Sequence, residues 1–403
     1  MKTKNFIVVC VIFLEFFSSG YSQTAYITNW NDSTVSVINV TTNSICDTIQ
    51  IGSNPYGVTV SPDGSTVFIS NRNSGTVSVI NTTTNSVTDT IQVGLGPNGI
   101  AFSPDGSKVY VVNNNETTVS VINTITNMVV DTITVSPYPA GLIFSPDGNK
   151  IYLTHEVWAG KLSIINTATN TVDTILSIGK TPYGICISPD GSKVFVANIS
   201  DQTIMEINTS SNSITDTIAV ASCESVICSN DGSKLYVSSP SIDAVTVINA
   251  TTNLVTSLIP VGDSPSGLSL SPDGIKLYVV NYYSQSVNVI NTFSNSVIDT
   301  ITVGSGPTCF GNFISTHVKP SEISSIENNT IPFSVFPNPS NGEITILFSS
   351  TESKITITDL FGKIILNEEI KADCKKFTVH KSGVYLLQVT TIDGTFIQKL
   401  IIQ

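Results

Sequence analysis

The side chains that can carry a proton, a metal ion or a covalent intermediate are few in this 403-residue chain. It has three histidines, and the stretch His155-Glu156-Val157-Trp158-Ala159-Gly160 sets one of them beside a carboxylate and an indole. An imidazole next to a carboxylate can move a proton, and an indole can cover a sugar ring or a peptide. No wider catalytic pattern supports such a step: there is no Gly-x-Ser-x-Gly elbow, no phosphate-cradling glycine loop and no His-Glu-x-x-His. No Cys-x-x-Cys or histidine run suggests zinc, so neither a metal nor a cofactor is expected. A histidine that serves the fold is the preferred reading of His155.

What must position these residues is a repeat. Ser-Pro-Asp-Gly begins at Ser61, Ser103, Ser145, Ser188 and Ser271, with Ser229-Asn230-Asp231-Gly232 in the remaining place, at spacings of 41 to 43 residues. A second column, hydrophobic-Ile-Asn, ends at Asn39, Asn81, Asn123, Asn166, Asn208, Asn249 and Asn291, which makes seven copies. Each copy reads as four strands, for example Gly99 to Phe102, Lys108 to Val112, Thr118 to Ile122 and Met128 to Val135. Pro, Asp and Gly form a turn between the first strand and the second, and Asn-Thr-x-Thr-Asn turns the third into the fourth through Asx hydrogen bonds. Four-stranded units at this period are propeller blades. The first copy starts at its second strand, Tyr26 to Asn29, and the missing inner strand follows the last copy at Gly306 to Phe313. Pairing the two closes a seven-bladed ring and removes exposed strand edges.

Loops that precede first strands, and those between second and third strands, share one face around the channel mouth. Irregularities there mark candidate ligand contacts: Trp30, Arg72, His155, Glu156, Trp158, Tyr183, Glu224, Tyr282 and Tyr283, a mixture of aromatic and polar groups suited to a glycan or a protein. The Asn that ends most second strands becomes His155 in one blade and Ser239 in another. The recurring Pro-x-Gly, as in Pro55 to Gly57, is assigned to geometry, since Gly permits close approach near the narrow axis. Cys223-Glu224-Ser225 and Pro307-Thr308-Cys309 depart from it.

Composition narrows the partners. The net charge of -12, with Arg72 the only arginine, excludes the basic footprint that nucleic acid requires. Residues 1–22 read as a signal peptide, with Lys2 and Lys4, an apolar run from Ile7 to Phe17, and Gly20-Tyr21-Ser22 as cleavage site; the run is short for a membrane span. Cys10 lies too early in it for lipidation. Six cysteines remain: Cys46, Cys186, Cys223, Cys228, Cys309 and Cys374. Cys223 and Cys228 in one extended segment would be about 16 Å apart, too far to bridge, and all six are expected to be buried hydrophobes.

The quartets Tyr26-Ile27-Thr28-Asn29, Tyr110-Val111-Val112-Asn113 and Tyr278-Val279-Val280-Asn281 resemble the YVTN-type repeat of extracellular β-propellers, over residues 23–316. That resemblance implies surface or adhesion proteins as well as enzyme relatives. Residues 317–332 read as a linker. Beyond it, alternating segments from Glu343 to Ile402 make a small antiparallel β-sandwich over 333–403. This module resembles the carboxyl-terminal sorting domain of the type IX secretion system of Bacteroidetes-type bacteria, through Pro337-Asn338-Pro339, Gly362 and Lys363, Gly383 and Tyr385, and Lys399 near the end. The resemblance implies recognition by the translocon and its sortase, removal of the module, and release or attachment at the outer cell surface. The expected molecule is a monomeric, all-β, secreted or surface binding protein that presents propeller loops to a protein or carbohydrate. The alternative is a lyase, lactonase or quinoprotein-like enzyme that uses the channel mouth with His155 and Glu224.

Overall fold

The computed structural model describes residues 21–315 and, beyond them, 319–320, 333–336, 340, 343–348, 353–359, 364–371, 374–379, 381–391 and 394–402. Most of residues 1–22, expected to be a signal peptide, and of 317–332, expected to be a linker, lies outside these residues, as do His317 and His380. So do Pro337, Asn338, Pro339, Gly362 and Lys363 of the sorting-type motifs. The chain divides into two units, Met1–Ser321 and Glu322–Gln403.

In the first unit seven antiparallel four-stranded sheets follow one another. The third blade is typical: Pro97–Phe102 is the inner strand, then Lys108–Asn113, Thr118–Asn123 and the outer Met128–Thr134. Its second and third strands are buried without interruption from Val109 to Val112 and from Val119 to Ile122, apolar throughout except Ser120, because neighbouring blades cover both of their faces. The outer strand keeps one buried residue, Ile133, and that position recurs as Ile49, Ile91, Ile218, Ile259 and Ile301. Blades interlock through aromatic edges: Tyr110 meets Phe144 of the next blade at 5.2 Å between centroids, and Phe68 meets Phe102 at 5.1 Å.

Closure follows the expected route with one distortion. Pro307–Thr308 pairs with Asn29 and Thr28, and Ile314 bridges Ala25, so the late strand completes the first blade. Between them Cys309 to Asn312 leaves the ladder, and Phe310 bridges Gly57 of the second blade in parallel. The sixth blade also departs. Its inner strand is only Val226–Cys228, and a 3-10 turn, Pro240–Ile242, replaces its second loop.

Both turn types form as the residues require. Asp63 accepts the Ser61 hydroxyl at 2.6 Å and the Ser65 amide at 3.0 Å, while Gly64 takes φ 71°. Asn81 Oδ1 accepts the amides of Thr83 and Thr84, and Asn85 closes the turn at φ 50°. The glycine of Pro-x-Gly is fixed by close approach. A Cβ on Gly57 would stand 2.1 Å from the Asn98 carbonyl oxygen, on Gly99 2.3 Å from that of Ala140, and on Gly184 2.3 Å from that of Glu224. One cysteine expectation is corrected: Cys186, Cys223 and Cys309 are buried, but Cys228 is half-buried, Cys374 of the second unit is exposed, and Cys46 is exposed because its outer strand has no blade beyond it.

The second unit packs a three-stranded sheet, Phe333–Phe336, Glu343–Phe348 and Cys374–Thr378, against a four-stranded one. The latter comprises Ile364–Ile370, Ser353–Asp359, Gly383–Thr391 and Gly394–Ile402. Ile344, Ile355, Ile357, Leu387, Val389 and Leu400 are among its core. Tyr385 is buried there, its hydroxyl donating to the Lys381 carbonyl at 2.7 Å, and Lys399 pairs with Leu386.

Two consequences can be measured. Gly57→Ala should cost about 3 kcal/mol of stability, since the methyl overlaps a backbone oxygen that cannot turn away; a denaturant midpoint equal to the parent's would disprove the close-approach account. Asp105, Asp147, Asp190 and Asp231 are held below the usual carboxylate range chiefly by serine hydroxyls, Asp190 and Asp231 at about 2. Carboxyls depressed in the folded state contribute stability that is complete above their unfolded value of about 3.9 and is lost as pH falls through the folded value. Thermal unfolding should therefore show Tm dropping chiefly between about pH 4 and about pH 2.

Candidate functional site

The mouth is built from the residue between Pro and Gly at the start of each inner strand. Round the ring that residue is Thr308, Tyr56, Asn98, Ala140, Tyr183, Glu224 and Ser266. Second-strand hydroxyls clasp several of these from the preceding blade: Ser70 Oγ donates to the Asn98 carbonyl at 2.7 Å, Thr154 Oγ1 to that of Tyr183 at 2.9 Å, and Ser238 Oγ to that of Ser266 at 3.0 Å. These clasps fix the backbone while leaving the side chains free to differ.

The axis is blocked below them. Phe310 NH donates to the Tyr56 carbonyl at 3.3 Å, Val58 NH donates to the Phe310 carbonyl at 3.0 Å, and the Phe310 ring lies 4.9 Å from that of Tyr183 and 6.2 Å from that of Tyr56. The hydroxyls of Tyr56 and Tyr183 hydrogen-bond to each other across the opening. On the mouth side this leaves a well of about 230 Å³ walled by Tyr56, Tyr282, Phe310, Glu224, Ser266 and Thr308. On the opposite side Phe310 also walls an apolar cavity of about 450 Å³ that includes Ile100, Leu142, Ile227 and Leu268.

Charge at the mouth is poorly balanced. Burial pushes the Glu224 carboxyl up to about 7, with the nearby Glu156 charge adding to the shift. Burial raises Glu156 as well, opposed by the Arg72 guanidinium. Arg72 Nη2 is spent on Asn114 Oδ1 at 2.9 Å, and among the described residues no ion pair joins it to either glutamate. Burial holds the hydroxyls of Tyr56 and Tyr183 well above their ordinary value, so both remain protonated donors.

The nine predicted residues separate into groups. Glu224 and Tyr282 line the well, Tyr183 bonds through its hydroxyl to Tyr56 of the wall, and Trp30 packs edge-on against Tyr56 at 5.8 Å. Glu156 and Arg72 act on it through charge. Tyr283 is 72% exposed and stands 5.1 Å from Tyr282, and Trp158 is 71% exposed with the Lys180 ammonium 5.0 Å over its ring. His155 is not among them: it is fully buried, its Nδ1–H donating to the Pro137 carbonyl at 3.3 Å and its Nε2 accepting from Ser163 Oγ at 2.7 Å. Burial lowers it to about 4, so it is neutral and has no free nitrogen for a ligand. It replaces Asn29, Asn71 and Asn113, which donate to Ser36, Ser78 and Ser120 in their own blades. The same Asn amides also donate to Thr34, Thr76 and Thr118 across the loop that joins the second strand to the third, so they tie the strands together and hold that turn. Sequence reasoning missed Tyr56, Ser266, Thr308, Phe310 and the 58% exposed Tyr138. The available signal was the one variable position inside an otherwise constant Pro-x-Gly.

Comparison with known proteins bears first on the second unit, whose residues 334–403 match the family of the secretion system C-terminal sorting domain. That unit is a sorting domain. A chain that carries this domain is exported through the type IX system, to the cell surface or the medium. Residues 11–117 match the YNCE-like beta-propeller family. Among solved structures, Kuenenia stuttgartiensis hydrazine synthase aligns with TM-score 0.63 at 22% identity over 67% of this chain and 92% of that one. A functionally unknown protein from Desulfotomaculum acetoxidans aligns at 0.62 and 18% identity over 72% and 100%. At such identities the likeness is of fold alone. No curated protein matches the chain. Among the described residues no helix is long and apolar enough to cross a membrane.

The structural account of His155 is directly testable. His155→Asn combined with Ser136→Gly, the pair that five other blades use, should fold with stability within about 1 kcal/mol of the parent, whereas His155→Ala should lose about 2 kcal/mol by orphaning Ser163. Equal losses in the two variants, by chemical denaturation, would contradict it.

Proposed function

We propose that the protein is a noncatalytic binding protein whose mouth face holds carbohydrate outside the cell. The observation that carries this is a pair of exposed aromatic rings, Tyr138 and Trp158, on two loops that are hydrogen-bonded to each other. Tyr138 and the loop of Trp158 are joined by the Glu156 amide, which donates to the Tyr138 carbonyl at 2.8 Å, and the loop before Pro182, tied to Val157 by the Thr181 amide at 3.0 Å, brings Lys180 beside Trp158. Flat exposed rings flanked by a carboxylate and an ammonium suit sugar, whose C–H faces stack on aromatics while hydroxyls seek charged partners. The backbone beneath supports a rigid display: Tyr138 and Thr181 hold φ 53° and 52°, unusual for such residues and maintained only by the surrounding structure. The catalytic alternative drew on His155 with Glu224, and enclosure of the imidazole removes one of its two groups. In this reading the sorting domain is removed by a sortase during export, and the propeller acts as a monomer, released or attached to the surface.

A glycan array probed with the exported propeller is expected to yield specific binding. Trp158→Ala should weaken it roughly tenfold, equivalent to ~1.4 kcal/mol, with Tm unchanged. Array silence from a folded propeller, or full binding by that variant, would count against the assignment.

A further inference from the structure

The central well differs in chemistry from the aromatic rim around it. We propose that it binds an alkylammonium group, seated between the Glu224 carboxylate and the rings of Tyr56, Tyr282 and Phe310. This rests on reading the mouth as the binding face, but on different residues from those assigned to sugar.

Three features carry it. The well is walled on one side by Phe310 and by Tyr56, whose hydroxyl is held by that of Tyr183. Three of its walls are aromatic, and ring faces attract cations while excluding the water that would otherwise solvate them. Its single carboxylate, Glu224, has no hydrogen bond or ion pair to its side chain among the described residues, although protein surrounds it on most sides. Its backbone, by contrast, is fully engaged, the amide donating to the Ser238 carbonyl and the carbonyl accepting from Gly184. A half-buried acid without a countercharge is unfavourable, and a bound cation relieves that cost.

The same features disfavour other ligands. A bare metal ion needs several hard oxygen ligands, and the well supplies one carboxylate, while Thr308 Oγ1 already donates to the Pro55 carbonyl at 3.1 Å. An anion would meet Glu224 and Glu156 together. A cation with an apolar skin matches both the acid and the rings.

Binding must depend on pH. The titratable and charged groups around the well are Glu224, Glu156, Arg72, Cys309 and the hydroxyls of Tyr56, Tyr183 and Tyr282, and of these Glu224 is poised at about 7. A cation binds the ionised carboxylate, so affinity rises with pH through about 7 and levels above it, and binding below that value releases a proton.

Tetramethylammonium chloride is titrated calorimetrically into the exported protein at constant ionic strength. Saturable binding is expected, roughly thirtyfold tighter at about pH 8.5 than at about pH 5.5, the ratio of ionised fractions for a group near 7. Glu224→Gln should abolish it and leave array binding intact, and Trp158→Ala should do the reverse, which separates failure of this inference from failure of the sugar assignment. Tyr282→Leu, at the half-buried edge of the well, supplies a second variant should Glu224→Gln unfold, and is expected to weaken binding at least fivefold. Absence of saturation at the higher pH, unchanged affinity in either well variant, or affinity that does not vary with pH would overturn the proposal.

Discussion

Seven sheets that meet at one axis must bring their inner strands closer than side chains allow, and the rest of the propeller depends on how that crowding is met. At Gly57, Gly99, Gly141 and Gly184 the next blade's carbonyl oxygen stands 2.1 to 2.5 Å from where a Cβ would be, so only hydrogen fits. With the glycine fixed, the residue before it is fixed in position, and its side chain has only the channel to enter. A structural necessity thereby creates a ring of chemically free positions. Tyr56, Tyr183 and Glu224 are what this chain has placed there.

The second strand meets a related constraint one layer out. Gly52, Gly94, Gly179, Gly262 and Gly304 lie against Asn71, Asn113, Asn198, Asn281 and Asn29, where a Cβ would stand 2.5 to 2.9 Å from the amide carbon. The two blades without that Asn also lack the glycine, with Ser136 after Val135 and Ala221 after Val220. His155 and Ser239 are therefore coordinated exchanges in a packing unit, each retaining a cross-strand bond, to Ser163 and Thr246. In the sixth blade the exchange accompanies a shorter inner strand and a 3-10 turn, and it is there that Glu224 takes the place of an aromatic or small residue. A local irregularity in the scaffold and the least balanced charge at the mouth thus have one origin.

The closing strand serves two ends. Its first residues complete the first blade, and its excursion at Phe310 divides the channel into a polar well and an apolar cavity. Phe310 lines both of these spaces. The separate sorting domain supplies the address for export.

By itself the sequence determined the blades, their number, the order of strands, the route of closure and the sorting tail, because each rests on local turn chemistry or on a period counted along the chain. Ser-Pro-Asp-Gly and Asn-Thr-x-Thr-Asn form through hydrogen bonds within a few residues, so their spacing needs no tertiary context. It also marked Glu224, Tyr183 and Tyr282 as departures from the repeat. Only the tertiary structure decided that His155 faces Ser163 rather than solvent, that Tyr56 and Tyr183, 127 residues apart, share a hydrogen bond, and that Phe310 crosses the axis. These depend on which blades become neighbours across a closed ring, and no count along one chain contains that distance.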